Sequence, residues 1–278
     1  YRMRLITASS VDWMGMKQTV FKDVADKLET DIPGTALQAD STMFAHARDF
    51  VARDDTAPVF LLLFLGATHF NYQYQARSHR FTPDWDGIGS ISAAQVDPIL
   101  MKRRAMNSAY EADWSLNDFL DWFRQRRGHQ PLTFITGDHG EAFREHGRVG
   151  HGAGVAEEEI HVPMVLLDDS VKPEVVTGVT SHVDIVPTLF HLLGDRHAPS
   201  QYSDGAILTA PPAGRFVVST AGWVPRYAVV GDSLKAQFFG LDAGLGTVTL
   251  TGPNDQPLPN AAALLRTEGP RILRALRR

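Results

Sequence analysis

The stretch Thr133-Phe-Ile-Thr-Gly-Asp-His-Gly-Glu-Ala-Phe-Arg-Glu-His-Gly-Arg-Val-Gly-His151 decides how the rest of the chain is read. The apolar run from Pro131 to Thr136 is short enough for a buried strand. It stops at Gly137, and Asp138 and His139 follow at once. Open α/β sheets place ligands just beyond the carboxyl ends of their strands, so polar chemistry beginning at that point marks a candidate site. An adjacent carboxylate and imidazole suit a borderline divalent cation such as Zn or Mn. Glu141, Glu145, His146 and His151 follow closely, and four of the eleven histidines fall between residues 139 and 161. Taken by itself an Asp-His pair before glycine also fits a plain turn; the density of imidazoles and carboxylates favours a metal or anion site.

Working outward, Val59 to Leu65 is continuously apolar between Pro58 and Gly66, the pattern of a parallel strand buried on both faces. Arg2 to Ser9 reads as a first strand. Asp40 or Ser41 is placed to cap a helix reaching about Arg53, with Met43, Ala47, Phe50 and Val51 on one face and His46 in a packing role. Residues 73 to 98 read as a loop bordering a cleft. A long helix over 100 to 127 carries the stripe Ala109, Ala112, Leu116, Phe119, Leu120 and Phe123 and ends at Gly128. Val162 to Leu167 is another strand, with Pro163 at its start. Asp184 reads as a helix N-cap, with Pro187 in the first turn and Val186, Leu189, Phe190 and Leu193 toward the core. His182, just before it, reads as bonding a loop backbone. After Ala210 four β-like runs, at 215–219, 226–230, 234–239 and 247–251, form a meander pattern, and a basic helix with a solvated face follows from Ala261 to Arg278.

The 278 residues are 44% hydrophobic and 21% charged, an ordinary globular balance. A net charge of −5 gives no electrostatic case for binding nucleic acid. The absence of cysteine removes disulfides, thiolate metal sites and a cysteine nucleophile from these residues. The longest apolar run, from Pro58 to Ala67, is about half of what a membrane-spanning helix needs.

Several motifs in register carry a family resemblance: Thr136-Gly-Asp-His-Gly-Glu, Glu145-His-Gly, Gly150-His-Gly, Ile160-His-Val-Pro-Met and Ser181-His-Val-Asp-Ile-Val-Pro-Thr-Leu-Phe-His-Leu-Leu-Gly194. Together they resemble the second half of the sulfatase domain of the alkaline-phosphatase superfamily. The likeness is greatest to membrane-anchored bacterial sulfatase-like proteins, among them phosphoethanolamine and phosphoglycerol transferases and relatives without catalysis. The resemblance implies a three-layer α/β sandwich around a mainly parallel mixed sheet over residues 1–210, with a small antiparallel subdomain at 211–278. It implies a hydrolase or transferase of sulfate or phosphate esters, lipid- or glycan-linked, at the bacterial periplasm or outer face of the inner membrane. Asp138 and His139 would bind a divalent metal (Mn, Zn, Ca or Mg). His151 and His69 would hold oxygens of the transferring group, and Glu141 and His146 would orient ligands. Asn107, Tyr110 and Asp113 match polar positions of the family, with anchoring of the helix as the competing role. The family's nucleophile and its remaining metal carboxylates have no matching segment after Tyr1, so the expectation is that this chain alone is weak or inactive. The competing reading is a sulfatase-like domain that binds lipid or protein without catalysis.

Overall fold

The computed structural model describes residues 1–12, 15–87, 95–222, 224–239 and 248–277. Part of the 73–98 loop, the start of the last β run at Thr247 and the end of the terminal helix at Arg278 lie outside the described residues. The chain divides into two compact units, one of residues 1–132 with 167–169, the other of residues 133–166 with 170–278.

In the first unit, β1 (Arg2–Thr7), α1 (Met16–Thr19), β2 (Leu28–Glu29), α2 (Ala36–Ala52), β3 (Val59–Phe64) and α3 (Pro98–Arg127) follow in order. The sheet has the order β2-β1-β3 and both pairings are parallel, with Arg2 opposite Val59 and Thr7 opposite Phe64. Alternation sends Ile6 with Val59, Leu61 and Leu63 to a cluster with Met43, Phe44, Ala47, Val51, Phe119, Leu120 and Phe123. The other face sends Leu5 and Leu62 to Val11 and Phe21. Burial on both faces therefore holds for the middle of β3 but not for Phe60 and Phe64, which are 36% and 38% exposed.

Helix α2 starts before the expected Asp40. Thr35 and Gln38 form a reciprocal capping box, Thr35 Oγ1 accepting from Gln38 N and Gln38 Oε1 from Thr35 N. Asp40 instead faces inward, where its carboxylate accepts the backbone N–H groups of Gly66 (2.7 Å) and Ala67 (2.9 Å) at the end of β3. His46 is exposed and pairs with Glu29. Burial pushes the Asp40 carboxyl up to about 6 from 3.8. Because the folded state binds this proton more tightly, the stability gained from protonation is complete below about pH 3.8 and is lost as pH rises through about 6, on the order of 3 kcal/mol. Urea unfolding midpoints measured from pH 4 to 7 should therefore show a decline in the native protein that Asp40→Asn lacks; parallel curves for the two proteins would contradict this account.

Helix α3 is capped by Asp97 and ends at Gly128, in the left-handed conformation at φ 75°. Its apolar stripe is confined to the C-terminal half. In the N-terminal half Ala109 is exposed, and beyond Met101 the buried face is Asn107, Ser108 and Glu111. These polar side chains hold the loop after β3. Ser108 Oγ donates to Ala67 O and Gln73 O, and Asn107 Oδ1 accepts from Arg80 N and Phe81 N at 2.8 Å each. Glu111 accepts from Gln75 N and Ser78 Oγ and pairs with Arg77. Asn107 thus anchors the helix to its neighbouring loop, and Tyr110 does the same through Arg80.

The second unit contains β4 (Thr133–Thr136), β5 (Ala142–Phe143), β6 (Val149–Gly150), α4 (Glu157–Ile160), β7 (Met164–Leu167, of which Leu167 falls in the first unit), α5 (Ile185–Leu192), β8 (Val217–Thr220), β9 (Arg226–Val230), β10 (Lys235–Phe239), β11 (Val248–Thr251) and α6 (Ala261–Ala275). β4 pairs with β7 and is half-buried rather than fully enclosed. β5 and β6 form a hairpin, and β8 to β11 form the expected antiparallel meander in the order β11-β10-β9-β8. Helix α6 is not merely a solvated face: Ile272 and Leu264 pack with Val229, Leu234, Ala236 and Leu250 of the meander.

Before α5 lies a single 3-10 turn, His182–Asp184, in which Ser181 and Asp184 form the capping box. Pro187 sits in the first turn of α5 as expected, but its inward residues are Pro187 and Thr188. Val186, Phe190 and Leu193 are exposed. The burial is organised by Asp184 rather than by the apolar stripe. No helix among the described residues is long and apolar enough to cross a membrane.

Candidate functional site

Gly137 to Gly140 leave the end of β4 as a tight turn that presents Asp138 and His139 at the surface. His139 Nδ1 donates to Gly140 O at 2.8 Å. That bond fixes the proton on Nδ1 and leaves the Nε2 lone pair for a ligand. Nε2 stands 3.7 Å from Asp138 Oδ2, and Asp138 Oδ1 accepts His139 N at 3.0 Å. An imidazole nitrogen and a carboxylate oxygen at this separation fit adjacent positions around one divalent cation. They supply two of the three or four protein donors such a site uses.

His151 joins the pair through the β5–β6 hairpin. Ala142 faces Gly150 across the hairpin, which brings the next residues outward, Glu141 and His151, side by side. His151 Nδ1 donates to Glu141 Oε2 at 3.2 Å, and this carboxylate holds the imidazole pKa above the usual histidine value. The His151 ring stacks on the His139 ring, with centroids 3.8 Å apart. Asp138, His139, Glu141 and His151 are therefore one constellation. A half-buried imidazole biased toward its cationic form suits an anionic oxygen. His182 also stands at the end of β4: its Nε2 donates to Gly137 O at 2.9 Å, so it bonds the loop backbone as expected.

His146 lies at the tip of the hairpin, not beside Asp138. Arg144 and His146 both have positive φ, 72° and 51°, and His146 Nδ1 donates to Glu158 Oε1 at 3.0 Å. Glu158 holds its pKa above the ordinary value. His146, Glu158 and Asp255 bring three ligand-type atoms within 4.8 Å of one another. Asp255, however, already faces an ammonium at 2.7 Å, that of Lys235, and accepts from Gln237 Nε2 and Glu157 N. A cation is already built into that cluster. His69 follows β3 in the first unit; its Nδ1 donates to Phe70 O at 3.1 Å, and its backbone N donates to Gly66 O.

The acids Glu157, Glu158 and Glu159 escaped the sequence reading, although each is engaged. Glu158 holds His146, and Glu159 Oε1 lies 3.1 Å from Arg148 Nε. Glu157 accepts from His161 at 2.8 Å. The available signal was the run itself: three consecutive acids suit the first turn of a helix, where the N-terminal dipole favours carboxylates.

Comparison with known proteins agrees with this architecture. The Sulfatase family model matches residues 2–195. The low-salt glycan biosynthesis sulfotransferase Agl7 of Haloferax volcanii is 31% identical over 107 residues, 35% of this chain and 26% of that protein. The phosphonate monoester hydrolase SpPMH from Silicibacter pomeroyi aligns with a TM-score of 0.61 at 14% identity, over 87% of this chain and 59% of that one. The C-terminal periplasmic domain of phosphoethanolamine transferase EptC from Campylobacter jejuni aligns with a TM-score of 0.50 at 15% identity, over 61% of this chain and 53% of that one. The chain thus spans about a quarter of the curated relative and somewhat over half of each structure.

Proposed function

This chain belongs to the sulfatase family, and from that membership we propose that it carries part of the site of a metal-dependent hydrolase or group transferase acting on a sulfate or phosphate ester. The observation that carries the reading is the Asp138–His139 pair, with the histidine tautomer fixed so that Nε2 faces the carboxylate. In this reading Asp138 and His139 hold the metal, which when bound lowers the pKa of an attacking hydroxyl and offsets charge on the reacting group. His151, whose pKa Glu141 raises, donates to an oxygen of the transferring group. The remaining metal donors and the nucleophile come from outside the constellation described above. Residues 1–210 act as the sulfatase-like α/β part and 211–278 as a small β-rich subdomain. A glycan-linked ester and an extracytoplasmic location are supported by the relatives, one a glycan biosynthesis sulfotransferase and one a periplasmic domain.

The test uses the full-length protein with p-nitrophenyl sulfate and p-nitrophenyl phosphate, stripped by chelation and resupplied with Mn, Zn, Ca or Mg. Turnover of one ester should return with metal and fall by about 100-fold or more in Asp138→Ala and His139→Ala. Turnover that ignores both chelation and His139→Ala would end the metal reading. A full-length protein that binds no metal and turns over neither ester leaves the binding-domain reading in its place.

A further inference from the structure

Lys235 is the first residue of β10 and is wholly buried, a costly place for an ammonium group. Its neighbours Leu234 and Ala236 belong to the apolar cluster under α6, and alternation along the strand turns Lys235 to the opposite face. The ammonium points away from that cluster's chemistry, with Nζ 2.7 Å from Asp255 Oδ1 and 3.5 Å from Glu157 Oε2. Asp255 Oδ2 in turn accepts the backbone N–H of Glu157, the first residue of α4. Lys235 and Asp255 therefore grip both the side chain and the backbone at the start of α4.

Helix α4 is what the candidate site rests on. Glu159 O accepts Gly140 N at 2.8 Å, one residue after His139. Glu159 Oε2 accepts Gly154 N at 3.0 Å, three residues after His151. The contact at Gly140 is so close that a Cβ there would lie 2.1 Å from Glu158 O. Glu158 and Glu159 also hold His146 at the hairpin tip and Arg148 just before its return strand. A displacement of this four-residue helix would move both ends of the loop that carries His139 and His151.

We propose that Lys235 is a positioning residue of the reaction: through Asp255 and Glu157 it locks α4, and α4 fixes the separation and stacking of His139 and His151. The C-terminal meander thereby supports the chemistry without touching the substrate. The inference rests on the catalytic reading for its kinetic consequence, but its structural part is independent of turnover.

The experiment compares the full-length native protein with Lys235→Met, Asp255→Asn, their double variant and Asp255→Ala, by hydrogen exchange resolved to peptides and by turnover of the two p-nitrophenyl esters. In Lys235→Met, exchange should rise across 137–161 while 215–239 keeps its protection. Turnover of the active ester should lose about 10- to 100-fold in kcat with KM little changed. The double variant, which leaves no uncompensated carboxylate at position 255, should recover part of the protection of 137–161. If Lys235→Met does not fold, Asp255→Ala, which removes the acceptor of Glu157 N, should loosen 137–161 by itself. Exchange that rises only in the meander, or evenly along the chain, overturns the proposal. So does a native kcat in a variant whose loop has loosened. A native protein inert toward both esters sinks the catalytic reading instead, and the exchange data then still decide whether Lys235 locks the loop.

Discussion

Replacing Asp184 with alanine should destabilise the second unit by about 3 to 5 kcal/mol, the cost of leaving a buried charge without its partner. The carboxylate is fully buried and every acceptor position is used. It takes both arms of the Arg215 guanidinium at 2.9 and 3.0 Å, together with the backbone N–H groups of Ser181 and Ala206. The Arg215 side chain is itself only 12% exposed, so in Asp184→Ala its charge would have neither a carboxylate nor free access to water. Thr188 extends the network, donating to Asp184 O and accepting from Leu208 N. Asp184→Asn, which keeps the shape and one acceptor, should cost less. Double replacement of Asp184 and Arg215 by apolar residues should cost less than the sum of the single changes. Denaturant unfolding of the native protein, the two Asp184 variants, the single Arg215 variant and the double variant measures this; a loss below about 1 kcal/mol in Asp184→Ala would show that the network is not what holds the 181–215 segment.

The second large effect is expected at Gly140. A methyl group there meets a backbone oxygen, Glu158 O, at 2.1 Å, and a backbone atom cannot swing aside as a long side chain can. Either the 137–140 turn or α4 must shift, and both carry the constellation. A misplacement of about 1 Å in a reacting site costs about 100-fold in rate, so Gly140→Ala in the full-length protein should lose activity on that scale. Stability should fall as well, by about 1 to 3 kcal/mol for an overpacked contact. Gly222→Ala is the control, since its Cβ would meet open space. Equal activity in the two variants would mean that the turn adapts and that its contact with α4 is not a constraint on the site.

The parts of the fold that were legible in the sequence are those where one physical cause acts alone. The alternation of short β runs after residue 210 gave the meander, and the continuous apolar run at 59–65 gave the parallel strand. The Gly-Asp-His-Gly turn after a strand placed Asp138 and His139 where they are found. Errors came where two causes compete. Asp40 is a good capping residue by type, yet the capping box from Thr35 to Gln38 is better satisfied and frees Asp40 to bind the backbone after β3. The apolar stripe expected from Ala109 gives way at that end to Asn107, Ser108 and Glu111 because the loop they cover has backbone and side-chain polar groups to satisfy. Around the site, the Glu141–His151 pairing depends on the register of a hairpin, and the Lys235 anchor comes from far along the chain. Nothing in the local spacing announces a partner from another strand.

The reach of the Lys235–Asp255–Glu157 link has a bearing on how the protein is made. Glu157 and Asp255 are separated by 98 residues, so the last lock on the histidine loop cannot close during synthesis until the final strand of the meander has left the ribosome. Contacts of such high sequence separation are slow to form, because a long loop must close before they give anything back. The His139–His151 region then matures only after residue 255 has been made. A nascent chain arrested before residue 255 would carry every histidine of the site, and still hold a loop that has not set.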